Sequence, residues 1–136
     1  MVELTADRID TASLEALVSS SEHGAILVFA GVARNHNRGR EVLGLEYEAY
    51  APMALAEMAK IEAETAERWP GTRVAMVHRT GLVAIGEASI VIAVGSAHRD
   101  EAYQASRYLI DELKERVPVW KRERYADGSD WIANRS

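Results

Sequence analysis

The most apolar stretch of the chain lies at residues 88–95, which read ASIVIAVG. It contains β-branched isoleucine and valine, no charged side chain, and a glycine at its end. A short continuous apolar run of this kind is typical of a strand that is buried on both faces. We therefore predict a central strand here, around which the other elements must be arranged.

Shorter patterns on either side predict the remaining elements. Strands are expected over residues 2–9, 25–32, 43–50, 73–79 and 119–125, with a last short strand starting at Trp131, and helices over about 11–18, 52–68 and 99–116. The run at 25–32 is continuously apolar and is predicted to be buried, whereas 43–50 alternates and should have one wet face. The pattern fits one α/β or α+β domain over residues 1–136, with mixed strand directions and three helices.

Each helix is predicted to bury one face. The expected inward positions are Leu14, Leu17 and Val18 in the first helix, Leu55, Met58, Ala59, Ile61 and Ala66 in the second, and Ala102, Ala105, Ser106, Leu109, Ile110 and Leu113 in the third. Asp10 or Thr11 offers an N-cap for the first helix. The third helix should end before Pro118, because the residue that precedes a proline is pushed out of the α region.

The composition argues against several classes of protein. The chain carries 16 basic and 21 acidic residues and a net charge of −5, so no general attraction to nucleic acid or to an anionic membrane is expected. Without cysteine there is no disulfide, no thiolate metal site and no covalent chemistry on a thiol. The first residues do not resemble a signal peptide, and no apolar run approaches the roughly 20 residues that span a bilayer. We therefore expect a cytoplasmic protein.

Against this acidic background, basic residues gather in three places. The first is residues 33–41, an aperiodic stretch that is predicted to be an exposed, mobile loop and that carries Arg34, His36, Arg38 and Arg40. The second is His98 and Arg99, where a helix begins directly after the central strand and where free N–H groups favour an anion. Taken alone, a solvated loop and an ordinary helix start are the better explanations of these two clusters, so neither cluster by itself establishes a site.

The third cluster, residues 114–124, holds two of the three lysines of the chain, Lys114 and Lys121. Unlike arginine, lysine can have its pKa lowered until it exchanges protons near neutral pH. The end of a helix would hold the pKa of Lys114 up, whereas nearby cations would push it down, and the sequence leaves the outcome open. These cations are Arg116, Lys121, Arg122 and Arg124. Strand alternation places Lys121 on the face of Val119 and Trp120 on the face of Arg122, and one face should be half-buried.

Other kinds of site are not predicted. The histidines, His23, His36, His78 and His98, lack a recognisable metal-ligand spacing, so no metal is expected. Neither a P-loop nor a G-x-G-x-x-G motif is present. The tryptophans and tyrosines fit core and interface positions better than a platform for stacking bases.

Five segments, taken together and in this order, resemble the molybdopterin synthase large (catalytic) subunit family. They are residues 29–40 (FAGVARNHNRGR), 45–50 (LEYEAY), 96–99 (SAHR), 117–123 (VPVWKRE) and 127–131 (DGSDW). The resemblance covers nearly the whole chain with compatible spacing. No single segment would carry it alone.

The resemblance implies an α+β fold of the α/β-hammerhead type, with a mixed, largely antiparallel sheet. It also implies a homodimer of this chain within a heterotetramer, with a small ubiquitin-like sulfur-carrier subunit at each end. The carrier would bring sulfur as a thiocarboxylate on its C-terminal Gly-Gly. This chain, a sulfurtransferase without a cofactor of its own, would insert two sulfurs into cyclic pyranopterin monophosphate, forming the dithiolene of molybdopterin in molybdenum cofactor biosynthesis.

Site residues follow from the same resemblance. Lys114 matches the lysine beside the incoming thiocarboxylate and Lys121 a second essential lysine, so both are expected to be catalytic. The matched substrate-binding residues are Arg34, His98, Arg99, Arg122 and Arg135, the last of which corresponds to an arginine that the neighbouring subunit lends. The resemblance implies that the three basic clusters converge on one pocket for an anionic substrate.

A function of another class remains open from the residues themselves. A non-catalytic module that binds an anion, a nucleotide or the tail of a protein partner would account for the basic clusters without any turnover. RNA binding is disfavoured by the net charge and by the absence of an aromatic RNP-like strand.

Overall fold

The computed structural model describes residues 1–132. The helices in this part are α1 (Thr11–Val18), α2 (Ala51–Arg68) and α3 (Arg99–Arg116). The strands are β1 (Val2–Thr5), β2 (Ala25–Val32), β3 (His36–Asn37), β4 (Arg40–Ala49), β5 (Arg73–Arg79), β6 (Gly81–Val83), β7 (Ala88–Ser96), β8 (Val119–Tyr125) and β9 (Gly128–Ile132). Strand β1 pairs with β5 in parallel and the other pairs are antiparallel. Within the described residues, the predicted α+β class with three helices and mixed, largely antiparallel pairing is confirmed.

The first sheet has the strand order β1-β5-β7-β2. Strand β7 lies between β5 and β2, and every residue after Ala88 in it is buried, which confirms the predicted central strand. Helix α1 covers one face of this sheet, where Leu14 and Val18 pack with Val91. Helices α2 and α3 cover the other face and build the main core. The sheet is thus enclosed by helices over its central strands.

Strand β2 differs from its prediction. It pairs with β7 along one edge and lies at the end of the described sheet. Its side chains Ile26, Phe29 and Val32 are 42%, 37% and 55% exposed, so the expectation of a buried strand was wrong. A continuous apolar run in the sequence does not distinguish a central strand from an edge strand that pairs with only one strand of its own chain.

The second sheet has the order β3-β4-β8-β9, with β6 paired to β4 beside it. Residues 33–41, which were predicted to form an irregular loop, instead contain a tight hairpin between β3 and β4. Its turn uses Arg38 and Gly39 with φ of 51° and 77°. Glycine adopts this left-handed conformation without a steric penalty, which explains why so short a connection is possible.

The buried faces of the helices were predicted in part. All predicted inward positions of α3 are buried except Ile110, which is half-buried, but Leu17 in α1 is exposed. In α2 the buried residues are Ala54, Met58, Ile61 and Thr65, while Leu55, Ala59 and Ala66 are exposed. Because apolar residues occur on both sides of α2, the sequence pattern did not determine which side of the helix is buried. None of the helices within residues 1–132 is long and apolar enough to cross a membrane.

The junction between α3 and β8 links the two sheets. Helix α3 ends at Arg116, and the ψ of 124° at its C-cap, Val117, lies outside the helical region, as the following proline requires. Strand β8 then begins at Val119, which pairs with Ala49 of β4. The Arg116 guanidinium, in the last turn, donates to Glu64 of α2 at 2.7 Å and 2.9 Å and to Glu112 one turn earlier at 3.2 Å. This confirms the predicted Glu112–Arg116 pair and fixes the end of α3 against α2.

Candidate active site

A cavity of about 460 Å³ lies between the two sheets, beside the end of α3. Its walls come from the end of β2, the β3–β4 hairpin, β4, β7, the last turn of α3, β8 and β9. The lining residues are Phe29, Gly31, Val32, Arg34, His36, Asn37, Arg38, Val42, Leu45, Tyr47, Ser89, Ile90, Lys114, Lys121, Glu123 and Ile132. Of the seven predicted site residues, Arg34, Lys114 and Lys121 therefore share one cavity.

The helix-to-strand junction explains why both lysines reach this cavity. Lys114 lies in the last turn of α3, just before the chain turns at Val117. Lys121 lies on the inward face of β8 together with the buried Val119 and Glu123, so the predicted pairing of Lys121 with Val119 is confirmed. The opposite face of β8 carries Trp120, which is exposed.

The pKa of Lys114 is lowered to about 8. The largest cause is burial, which disfavours the charged form, and the second is the positive charge of Lys121. The effect of the helix dipole, which would raise the pKa of Lys114, is therefore outweighed by these two effects. The predicted contribution of nearby arginines is also absent from these causes, because Arg116 pairs with carboxylates of α2 and α3 and Arg124 pairs with Glu46.

Glu123 is a site residue that the sequence reasoning missed. Its carboxylate is almost fully buried and accepts hydrogen bonds from Asn37 Nδ2, at 3.1 Å to each oxygen, and from the Tyr125 hydroxyl. Lys121 Nζ lies 3.7 Å from Glu123 Oε1. The carboxylate therefore connects Lys121 to the β3–β4 hairpin. Alternation along β8 could have revealed it, since Glu123 lies two residues after Lys121 and must share its face.

A second link fastens the hairpin to the β8–β9 turn. Arg40 donates to Asp127 at 2.7 Å and its guanidinium carbon lies 3.5 Å from the centre of the Tyr125 ring. With the hairpin held in this way, Arg34 and Arg38 line the mouth of the cavity. The arrangement concentrates positive charge around a single buried carboxylate.

The floor of the cavity is formed by uncharged groups. Tyr47 is buried and its pKa is raised, first by burial, while a hydrogen bond with Ser89 opposes the shift. Ser89 Oγ also donates to the Gly31 carbonyl at 3.2 Å. Both hydroxyls were missed by the sequence reasoning, although Tyr47 belongs to the stretch 43–50, whose alternation was expected to leave only one face wet. The site thus combines a cationic rim with a neutral polar floor.

Three other predicted site residues lie away from this cavity. His98 and Arg99 are at the opposite end of α3 and are exposed, separated from Lys114 by about 24 Å at about 1.5 Å of rise per residue. Arg122 points to the outer face of β8, where its guanidinium carbon lies 4.3 Å from the centre of the Trp131 ring. The expectation that the three clusters converge is therefore not met within one chain. Arg135 lies outside the described residues.

The chain is similar to proteins of one family over most of its length. A family model described as "MoaE protein" matches residues 4–116. The molybdopterin synthase catalytic subunit of Bacillus subtilis is 45% identical over 132 residues, which cover 97% of this chain and 84% of that protein. The human protein of the same name is 44% identical, with 99% and 72% covered. The crystal structure of molybdopterin synthase from Staphylococcus aureus superposes with a TM-score of 0.92 at 42% identity, covering 96% of this chain and 95% of that one.

The lowered pKa of Lys114 can be measured directly, because the chain has only three lysines. With 13Cε-labelled lysine, the NMR signal that disappears in Lys114→Arg should titrate with a midpoint at about pH 8. In Lys121→Gln the midpoint should rise, because one positive charge is removed, but only in part, because burial persists. A Lys114 midpoint near 10.5, its ordinary value, would contradict the described burial.

Proposed function

Because the chain belongs to the MoaE protein family, we propose that it is the catalytic subunit of a molybdopterin synthase, which transfers sulfur to a pterin substrate. The observation that carries the proposal is the pair of lysines in one cationic cavity, one of them with a pKa of about 8. The sulfur donor is a thiocarboxylate at the C-terminal Gly-Gly of a small ubiquitin-like carrier subunit. The acceptor is cyclic pyranopterin monophosphate, and the product is the dithiolene of molybdopterin.

The geometry supports a division of roles. The thiocarboxylate is an anion, and the ammonium groups of Lys114 and Lys121 can stabilise both it and the charge that develops as the phosphate ester rearranges. For each sulfur, a C–S bond to a carbon of the pterin side chain forms as a C–O bond at that carbon breaks, with the oxygen leaving on the phosphate or as water, and water then cleaves the acyl–sulfur bond to leave a carboxylate on the carrier. With a pKa of about 8, Lys114 can also give or take a proton near neutral pH. Arg34, at the cavity mouth, would bind the phosphate.

The non-catalytic alternative, a module that only binds an anion or a protein tail, is not favoured. The curated relatives that cover nearly the whole chain are named catalytic subunits. A half-buried lysine with a lowered pKa is also more useful for proton transfer than for simple anion binding, where a fully charged arginine serves better.

A second copy of the chain would bring the remaining predicted residues to the cavity. Within one chain His98 and Arg99 cannot reach Lys114, since α3 separates them. In a two-fold symmetric dimer, however, His98 of one copy can meet Lys114 of the other, and the converse contact follows from symmetry. We include in the proposal that both residues act in this way. Arg135 is proposed to act from the neighbouring copy as well, whereas Arg122 would bind substrate only if its side chain left Trp131.

Strand β2 offers a surface for such a dimer. Its free edge is uncharged, and its eight residues span about 26 Å, at roughly 3.3 Å per residue. It begins at Ala25, which pairs with Ser96 just before His98, and it ends at Val32, which lines the cavity. Antiparallel pairing of two β2 strands would therefore place the His98 end of one copy beside the cavity of the other. It would also cover an apolar edge that soluble proteins rarely leave open.

The carrier subunit and the location complete the proposal. The name "catalytic subunit" of the relatives denotes an enzyme with a further subunit, and the Gly-Gly tail of that subunit would enter the cavity of about 460 Å³ that Lys114 lines. Two carriers on a homodimer give a heterotetramer. The cytoplasmic location stays a prediction.

Replacing Lys114 should stop the reaction without unfolding the protein. Mixed with thiocarboxylated carrier and cyclic pyranopterin monophosphate, Lys114→Ala should form product at least about 100-fold more slowly than wild type, because stabilisation of the reacting anions is lost. Mass spectrometry follows the product. Lys60→Ala, which alters the remaining, exposed lysine, should keep the normal rate. Near-normal turnover by Lys114→Ala would overturn the catalytic assignment.

Mixing two inactive variants tests the shared site. Lys114→Ala and His98→Ala should each be inactive alone. After subunit exchange at equal concentrations, the mixed dimers should restore about a quarter of the wild-type rate, because half of the dimers are mixed and each has one intact site. Absence of recovery, despite mixed dimers detected by native mass spectrometry, would rule out the shared site.

A charge on the β2 edge should break the dimer. Ile26→Lys introduces a lysine near the start of the uncharged edge and should convert the protein to monomers in gel filtration with light scattering. Leu82→Lys alters an even more exposed leucine on β6 in the other sheet and should leave the dimer unchanged. If Leu82→Lys dissociates the dimer and Ile26→Lys does not, the interface lies elsewhere.

A further inference from the structure

The direction of the Arg34 side chain is set by the backbone on either side of it. Arg34 is exposed at the mouth of the cavity, and within residues 1–132 no ion pair holds its guanidinium. A long side chain of this kind loses conformational freedom when it binds an anion, and a fixed backbone reduces that cost. On the C-terminal side the backbone is fixed to β4, because the Asn35 carbonyl accepts from the Val42 N–H at 2.8 Å.

On the N-terminal side the backbone is fixed by the turn that connects β6 to β7. The Ala33 N–H donates to the Glu87 carbonyl at 2.9 Å, and the Gly86 N–H donates to the Ala33 carbonyl at 2.7 Å. The pairing of β2 with β7 shifts by one residue just before this point, between Gly31 and Val32. A bulge of this kind redirects the strand that follows it. The turn before β7 therefore determines where the chain leaves the first sheet for the cavity mouth.

The side chain of Glu87 braces this turn from within. Its Oε1 accepts from the Ala84 N–H at 3.0 Å and from Arg79 Nη1 at 3.1 Å. Its Oε2 lies 3.0 Å from Nε of Arg8. These contacts lower the pKa of the Glu87 carboxyl, first through the Ala84 N–H, so the group is a carboxylate at neutral pH.

The two arginines on this carboxylate differ in how firmly they are held. The Arg79 side chain is 7% exposed, and its Nη2 donates to the Leu82 carbonyl at 2.9 Å and to the Ala6 carbonyl at 3.4 Å. Its Nε is buried without a partner among the described residues, which costs stability. The Arg8 side chain is 82% exposed, and such an ion pair contributes little. Arg79 is thus the fixed end of the brace.

We propose that Glu87, held by Arg79, is a positioning residue for Arg34. It fixes the turn that binds Ala33, and the fixed backbone directs the next side chain into the cavity. Glu87 does not line the cavity, so it acts through Arg34 and not on the substrate. The effect on substrate binding rests on the proposed function, in which Arg34 binds the phosphate, whereas the effect on the Ala33 amide does not.

The test compares Glu87→Ala, which removes the brace, with Glu87→Gln, whose amide oxygen can accept from both Ala84 and Arg79. In Glu87→Ala, hydrogen exchange of the Ala33 amide, followed by NMR, should be at least about tenfold faster, because its acceptor is no longer fixed. With saturating thiocarboxylated carrier, the KM for cyclic pyranopterin monophosphate should rise about fivefold at nearly unchanged kcat, because Arg34 is present but not pre-oriented. Glu87→Gln should restore most of both values.

Two controls separate positioning from a general loss of stability. Arg8→Ala removes the exposed partner of the same carboxylate and should leave both the exchange rate and KM normal. In an Arg34→Ala background, Glu87→Ala should raise KM no further, because the side chain that it positions is already gone. If Glu87→Ala does not fold, Glu87→Leu, which keeps the bulk without an acceptor, takes its place.

The possible outcomes distinguish this proposal from the proposed function. An unchanged exchange rate of the Ala33 amide in the folded variant, or a rise of KM of the same size on top of Arg34→Ala, would overturn the positioning role. Faster exchange with a normal KM in Glu87→Ala, when Arg34→Ala raises KM, would overturn the effect on substrate binding alone. A normal KM in Arg34→Ala itself would refute phosphate binding by Arg34, and with it the catalytic part of this proposal, whatever the exchange rate.

Discussion

The turn at Val117 and Pro118 is the constraint on which the site depends. It ends α3 one turn after Lys114 and begins β8 at a position that places Lys121 on the inward face of the strand. The two lysines therefore approach one cavity from a helix and from a strand, two elements that are rigid and differently oriented. Arg116 anchors the end of the helix to carboxylates of α2, and pairing with β4 anchors the strand. Catalytic groups on such elements are held more precisely than groups on loops.

The same turn explains how an acidic chain builds a cationic cavity. Arginines that lie near Lys114 in sequence are directed elsewhere, Arg116 to α2 and Arg124 to Glu46 on the outer face. Beside Lys114 there remain Lys121 and one carboxylate, Glu123, so burial lowers the pKa of Lys114 most and the charge of Lys121 comes second. A cavity filled with arginines would bind anions at least as well, but it would lack a group that loses its proton near pH 8.

The local pattern of the sequence predicted much of the fold and part of the site. The central strand, the end of α3 at Pro118 and the inward face of Lys121 were correct, because each follows from a short-range rule. The burial of β2 was wrong because sheet order depends on contacts between distant segments, which periodicity does not report. Glu123 was missed because a charged residue in a strand is usually assigned to solvent, and only its partners Asn37 and Tyr125 reveal its burial. The extent of the domain over residues 1–136 stays a prediction.

The resemblance placed Lys114 and His98 in one pocket, yet a straight helix separates them in the chain. Both statements hold only if the pocket is built by two copies, since a rigid α3 cannot bring its own ends together. The free β2 edge runs antiparallel to β7 along this same direction, from the His98 end to the cavity. In the proposed dimer, a two-fold axis near the middle of β2 would account for the apolar edge, for a helix of matching length and for the divided set of basic residues. In such an enzyme assembly and activity are linked, because neither cavity is complete without the other chain.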